Sequence, residues 1–481
     1  IDRAIDQQLE KAKIPPSPIA DDAEFLRRVS LDLAGRIPRV AEVRAFLADR
    51  SPDKRRRLVD RLLGSRQYAT NFANLWRAQL LPPNGQMGQQ FAPRLEAWLR
   101  KDLADNVPYD RMVRQLLTVS MDEITNGDSS PDASVYYAAQ EYKPENLAAS
   151  TSRLFLGIKV ECAQCHNHPF ATWTRQQFWQ YATFFAGLDA NTSSKKRLAK
   201  PPELRIPNTD RFVQARFLDG KRPPWKKGTD PRRLLADWMT SPDNPYFARA
   251  AVNRLWAHFF GIGLVEPVDD LSAGTAPNHP ELFSELSRQF VSHGYDLKFL
   301  IRAITTSRAY GLSSTETYPG QDQPGLFARM AIKGLTPEQL FDSLAQATGY
   351  RDLGQTRQVF FGRPTSMRSE FLARFDSQDR PTEVQTSILQ ALALMNGKFT
   401  ADATSLEHSE TLMAVAEAPF LATPEKQVET LFLTTLSRPP QPAELKRFVG
   451  YVQRAGKKGE RSALADVFWA LLNSSEFMLN H

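Results

Sequence analysis

Two cysteines in 481 residues leave no room for a disulfide framework, and a chain this long with so few thiols holds its fold together by other means. No run of eighteen apolar residues occurs, so nothing reads as a membrane span. No charged n-region, apolar h-region and cleavage site open the sequence at Ile1; it reads as a mature or trimmed chain if its parent is exported. Alternating β-branched runs are scarce, while apolar residues at i, i+3, i+4 and i+7 are frequent and 33 prolines punctuate them, which predicts a mainly α protein. Neither sign of charge dominates strongly: 61 Lys and Arg stand against 54 Asp and Glu, a net charge of +7. The basic residues are dispersed except in "SSKKRLAK" (193–200) and "KRPPWKKGTDPRR" (221–233). These runs flank a Pro-rich stretch and read as a solvated linker, with no nucleic-acid partner implied.

What the chain does have is the stretch "VECAQCHNHPF", which places both cysteines, Cys162 and Cys165, three apart with His166 immediately after. With only 7 histidines available, chance would give this arrangement about once in ten thousand shuffles or less, so accident is set aside. On a helical turn, positions i, i+3 and i+4 share one face. Two thiols can then bond one porphyrin edge while the imidazole reaches the iron, which is why C-x-x-C-H reads as attachment of one covalent haem c. Two other chemistries stay open. A thiol redox pair would want a βαβ setting that the surrounding sequence lacks, and a zinc site from Cys162, Cys165, His166 and His168 would crowd four ligands into seven residues.

Helix starts are legible elsewhere. Ser51 with Pro52, Thr336 with Pro337 and Thr423 with Pro424 each predict an N-terminus, and Gly349 predicts the stop of the helix after Thr336. The chain also repeats itself. "DKRRRLVDRLLGSRQYATNFANLWRAQL" from Asp53 matches "DPRRLLADWMTSPDNPYFARAAVNRLWAHF" from Asp230, pairing Leu75-Trp76 with Leu255-Trp256. The match continues to Ser120 and Ser307. A second echo links "RIPRVAEVRAF" from Arg36 to "RPPQPAELKRF" from Arg438, and "LLGSRQY" to "LLNSSEF" at Leu471. The prediction is two related helical lobes with a c-type haem site between them. Along the chain this becomes a haem-bearing domain over 1–200, a basic Pro-rich linker over 201–228 and a helical partner domain over 229–481.

"DDAEFLRRVSLDLAGRIPRVAEVRAFL", "LGIKVECAQCHNHPFATWT", "VNRLWAHFFGIGLVEPVDDL" and "TEVQTSILQALALMNGKF", in this order, resemble the planctomycete-type cytochrome-C-like domain of unknown function followed by its usual C-terminal partner domain. The resemblance covers almost the whole chain. It implies an exported haem c protein, periplasmic or extracellular, whose genes often neighbour sulfatase-like genes, a hint of polysaccharide use. Family members often carry a further N-terminal cytochrome domain, with which this sequence does not begin. No established reaction comes with the resemblance.

His166 is the expected proximal ligand. His168, two residues on and before Pro169, cannot reach the opposite face of the same iron; it reads as a contact to the haem propionates or to the ligand shell, or as a loop residue. His258 stands where the first lobe has Ala78, which makes it the candidate for the iron's far side, against the plainer reading of a packed helix histidine. His279 is read into a helix-entry loop, and His293, His408 and His481 at the surface. Arg249 and Arg254 are candidate propionate partners or solvated helix residues. Glu266, Asp269 and Asp270 of "EPVDDL" cap the following segment or present acid–base groups. Trp173, Phe178, Trp179, Tyr181, Phe184 and Phe185 read as an apolar wall, or else an electron path or carbohydrate platform. Three functions follow: a haem redox enzyme, with no catalytic residue assigned, acting on a small molecule or carbohydrate; an electron carrier serving a redox partner protein; and a haem-stapled binding scaffold. The length of the chain around one haem tilts toward the first.

Overall fold

A computed structural model describes residues 1–82, 86–120, 132–169, 171–188, 200–271, 276–350, 358–360, 363–375 and 404–481. Most of "SSKKRLAK" and all of "TEVQTSILQALALMNGKF" lie outside them. Helices dominate, as the periodicity predicts, and among the described residues the strands form three two-stranded antiparallel ribbons. No described helix is long and apolar enough to cross a membrane.

The chain divides into two compact units that interleave along the sequence. One comprises Ile1–Ala12, Gly64–Ile304 and Gln323–Leu326; the other comprises Lys13–Leu63, Thr305–Asp322 and Phe327–His481.

The first unit contains most of the main repeat. Helices Lys54–Leu63, Arg66–Leu80, Gln86–Ala104 and Tyr109–Thr118 recur in order as Pro231–Met239, Phe247–Phe260, Pro280–Ser292 and Leu297–Thr305; Lys54–Leu63 itself falls in the second unit. Backbone chemistry repeats with them. The third helix of each set closes on a left-handed residue, Asn106 at φ 52° and Gly294 at φ 64°. In each, the following amide reaches back to the same carbonyl: Val107 N–H to Asp102 O and Tyr295 N–H to Phe290 O, both at 2.9 Å. An aromatic seam joins the two sets within this unit. Tyr109 lies 5.3 Å from Trp76 and stacks on Phe247 at 5.1 Å, and its amide donates to Tyr295 O. Such ring pairs add directional contact to the burial they represent.

The stretch 201–228, expected as a solvated linker, is structured. Strands Glu203–Arg205 and Phe212–Gln214 pair antiparallel, and Phe217 is buried, stacked between Phe184 at 5.1 Å and Trp238 at 4.9 Å. Apolar residues interleaved with the charges (Ile206, Val213, Phe217, Leu218) give this segment a buried face, while Lys221, Arg222, Lys226 and Lys227 are exposed as predicted.

The second unit is built around the apolar faces of helices Asp22–Ala34, Pro337–Thr348, Pro424–Thr435 and Gly456–Leu472, with Leu31, Phe341, Leu431 and Phe468 in one cluster. Thr336 and Thr423 cap their helices through the amides of Gln339 and Lys426, and Gly349 ends the first at φ 72°, as read from the sequence. Ser51 does not cap: residues 51–53 form a turn, closed by Lys54 N–H on Ser51 O, and the helix begins at Lys54.

The second echo also extends into structure. Asp21 caps Asp22–Ala34 as Thr423 caps Pro424–Thr435; both helices end on a left-handed residue, Gly35 at φ 70° and Ser437 at φ 61°; and each next helix opens with a glutamate accepting the amide three residues before it, Glu42 from Arg39 N–H and Glu444 from Gln441 N–H. The copies differ in charge. Only the first buries Arg27, Arg28 and Asp32. Arg27 donates to the carbonyls of Thr435 and Phe477, and Arg28 to those of Tyr310, Leu312 and His481 while pairing with Glu24 at 2.6 Å. Asp32 accepts from Tyr310 Oη, Lys333 Nζ and Asn480 Nδ2, each at 2.7 Å. Buried charge survives only when it is paired and hydrogen-bonded in this way. His481, expected at the surface, is half-buried in this network, where burial and then Arg27 hold its pKa below the usual value.

Candidate functional site

The segment that carries the C-x-x-C-H lies in the first unit and begins with a backbone reversal. Helix Pro144–Thr151 widens into a π turn, Ser152–Leu156, and Gly157 ends it at φ 62°. A side chain at 157 is doubly forbidden: the φ disfavours it, and a Cβ would sit 2.9 Å from Leu271 Cγ. Val160 then leads into a 3₁₀ turn, Glu161–Gln164.

The motif, read in the sequence on an α-helical turn, lies instead on this tighter one. The helix does not propagate because its next acceptor is taken. Gln164 O receives Trp179 Nε1–H at 3.1 Å and Arg175 Nε–H at 3.4 Å, while the His168 amide donates instead to Trp173 O at 2.8 Å. In a 3₁₀ turn, residues three apart eclipse, so the tighter geometry keeps the Cys162–Cys165 spacing on one side. Ala163 between them is fully buried; Cys162, Cys165 and His166 are exposed.

The two neighbouring histidines are held in opposite tautomers. His166 Nδ1 lies 2.8 Å from Asn167 O. A carbonyl can only accept, so Nδ1 carries the proton and the Nε2 lone pair of the neutral ring is left for a metal. His168 Nδ1 accepts the Ala171 amide at 2.9 Å, which puts its proton on Nε2 and uses its one lone pair. His166 therefore fits the proximal role, and neutral His168 has no ligating nitrogen. Among the described residues, no three His, Cys, Asp or Glu side chains gather as a metal set, so the zinc reading of the four motif residues finds no converged site.

Below the turn, helix Arg175–Ala182 is fixed by a capping box at Thr174 and Gln177, and Arg175 N–H also binds Asn167 Oδ1 at 3.0 Å. Trp173, Phe178, Trp179, Tyr181, Phe184 and Phe185 are all at most 8% exposed, which excludes the carbohydrate-platform reading and makes them the floor on which the turn rests.

The "EPVDDL" loop meets this segment directly. Leu271 N–H donates to Gly157 O at 2.7 Å. Asp269 pairs with Arg254 at 2.6 Å and with Arg153 of the π turn at 3.2 Å, and Arg153 lies 3.7 Å from Glu161, the residue before Cys162. Burial raises the Glu161 pKa, against the lowering pull of Arg153 and Lys159. Glu266 accepts the Gly263 amide at 2.6 Å and so serves its own turn.

Of the sequence candidates, Arg254 is thus brought beside the motif segment, engaged with Asp269. Arg249 lies over the Phe283 ring at 4.6 Å. His258 is half-buried, its ring 5.5 Å from Phe72 and 4.8 Å from Phe259. His279 is buried in the helix-entry loop, as read, with Nε2 2.7 Å from Gly325 O. Arg153 and Glu161 went unnoticed in the sequence; the one signal for Glu161 was its place next to Cys162.

Residues 1–190 match PSCyt2, a protein family of unknown function (DUF1549), and residues 231–452 match PSD1, also of unknown function (DUF1553). The chain thus carries a stretch similar to PSCyt2 followed by a stretch similar to PSD1, in that order. No curated protein and no solved structure matches it. The motif segment lies within the PSCyt2 match, and helix Phe247–Phe260 with the "EPVDDL" loop lies within the PSD1 match, so the two matched domains meet at Gly157–Leu271 and Arg153–Asp269.

Proposed function

We propose that this PSCyt2–PSD1 protein is an exported haem c protein carrying one covalent haem on Cys162 and Cys165, with His166 as the proximal ligand, and that it acts as a redox protein on a small-molecule or carbohydrate substrate. The observation that carries the reading is the exposed turn itself: two free, exposed thiols three residues apart, followed by an imidazole whose Nδ1 faces a carbonyl and leaves Nε2 for a metal. A bound haem would supply one-electron chemistry. The chain's own residues hold and shape the site. Trp179 and Arg175 fix the turn, the buried aromatic floor excludes water from beneath it, and the arginine–carboxylate chain sets the charge beside Cys162. His258 is assigned to the iron's far side, on the sequence argument that one repeat has an imidazole where the other has a methyl. The site falls to the haem crevice between repeated lobes in this reading, supported by the "EPVDDL" loop of the second lobe lying against the motif segment.

The test is the mass of the denatured protein after expression with a cytochrome c maturation system, with one haem added per chain. An unmodified mass ends the proposal. Ferric optical and EPR spectra with and without cyanide then separate an open, substrate-accepting iron from a carrier's saturated one, and fractionation of the native host tests export.

A further inference from the structure

We propose that Arg153 is a positioning residue for the haem-attachment turn, held in place by Asp269 of the PSD1 domain, so that the PSCyt2 site is complete only with its partner domain's loop. The inference rests on the reading of Cys162–His166 as the haem site.

The loop is itself built to be rigid. Asn253, fully buried in helix Phe247–Phe260, donates to Val265 O at 2.8 Å and Val268 O at 3.1 Å and accepts Val265 N–H at 2.9 Å. Gly263 has no space for a Cβ, which would fall 2.5 Å from Val265 O and 2.8 Å from Asn253 Oδ1. A side-chain amide that replaces a strand's worth of backbone bonds fixes the loop's path, and the path delivers Asp269. From there the charges alternate outward: Arg254, Asp269, Arg153, Glu161. Arg254 also reaches Leu154 O at 3.4 Å, inside the π turn that carries Arg153. Insertions of this kind in a helix concentrate at functional sites, because they re-aim the side chains that follow.

Partial burial gives the chain its force. Arg254 and Asp269 are 15% and 19% exposed at their side chains, and Arg153 is 32% exposed, so water screens the inner pair strongly less than a surface pair. Glu161 and Cys162 share a peptide bond, so whatever holds Glu161 orients the first attachment thiol.

Arg153→Gln in the full chain tests this, because it leaves the inner Arg254–Asp269 pair intact. Without haem, amide exchange across residues 158–165 should rise about threefold in Arg153→Gln and stay near wild type in Arg153→Lys, while the global melting temperature of both is unchanged. In haem-loaded protein the midpoint potential should move in Arg153→Gln and return in Arg153→Lys. Exchange at the wild-type rate in Arg153→Gln overturns the proposal, as does a rise matched by a general loss of stability. The mass assay keeps the two readings apart. Haem uptake with unchanged exchange removes the brace alone, and altered exchange without haem uptake removes the haem reading alone.

Discussion

The indole N–H of Trp179 donates to the carbonyl of Gln164 at 3.1 Å, between the two cysteines in sequence. With the Arg175 Nε–H bond, it occupies the acceptor an advancing helix would use, and the motif sits on a short turn. Trp179→Phe keeps the ring and loses the donor. The expected cost is about 1 kcal/mol, with faster tryptic cleavage after Lys159 as the readout. Unchanged cleavage would assign the turn's geometry to Arg175 alone.

The opposed tautomers of His166 and His168 predict opposite phenotypes. His166→Ala should keep covalent haem, through the two thioethers, but lose the proximal-ligand signature from its spectrum. His168→Ala should leave that spectrum as in wild type and loosen the 168–173 loop, because it removes the acceptor for the Ala171 amide.

His258→Ala should alter the ferric haem spectrum or its cyanide response. A variant identical to wild type in both would leave His258 as a packing residue on the ring of Phe72.

Removing Asp32 takes away the carboxylate that pairs with Lys333 in a buried site. Asp32→Ala should destabilise the protein by roughly 3–5 kcal/mol in denaturant unfolding. A cost under about 1 kcal/mol would mean that water or rearranged backbone replaces the carboxylate.

Stability should also fall on mild acidification. Burial holds His279 below its usual value of 6.5, and His481 likewise, so between the folded and unfolded values the unfolded chain binds more protons. The contribution is complete above about pH 6.5 and is lost as pH drops through the folded value. Melting temperatures should decline from about pH 7.5 to 5.5, less steeply in His279→Gln.

Much of this was legible in the sequence because it is local. Caps at Thr336 and Thr423, the stop at Gly349 and the repeated helix order are written in residues within a turn or two of their effect. The C-x-x-C-H announced its residues but not its backbone, since the donors that arrest the helix come from Trp179 and Arg175, beyond the motif. The stretch 201–228 was misread because its charges outnumber the few apolar residues that anchor it. Arg153 and Asp269 are more than a hundred residues apart, and no spacing rule joins them. Arg27 and Arg28 sit on a helix that reads as amphipathic, where arginines are expected in water; only the carbonyls of distant segments explain their burial.

The interleaving of the two units imposes an order on synthesis. Residues 13–63 belong to a body whose remainder begins in earnest only at Phe327, about 260 residues later. At a ribosomal pace of roughly 5–20 residues per second, Leu31 waits on the order of 15–60 seconds before the first of its cluster partners beyond Phe327 is made. The segment Gly64–Ile304, with both cysteines, is synthesised before that body is complete, and the early helix must be kept from aggregating in the meantime.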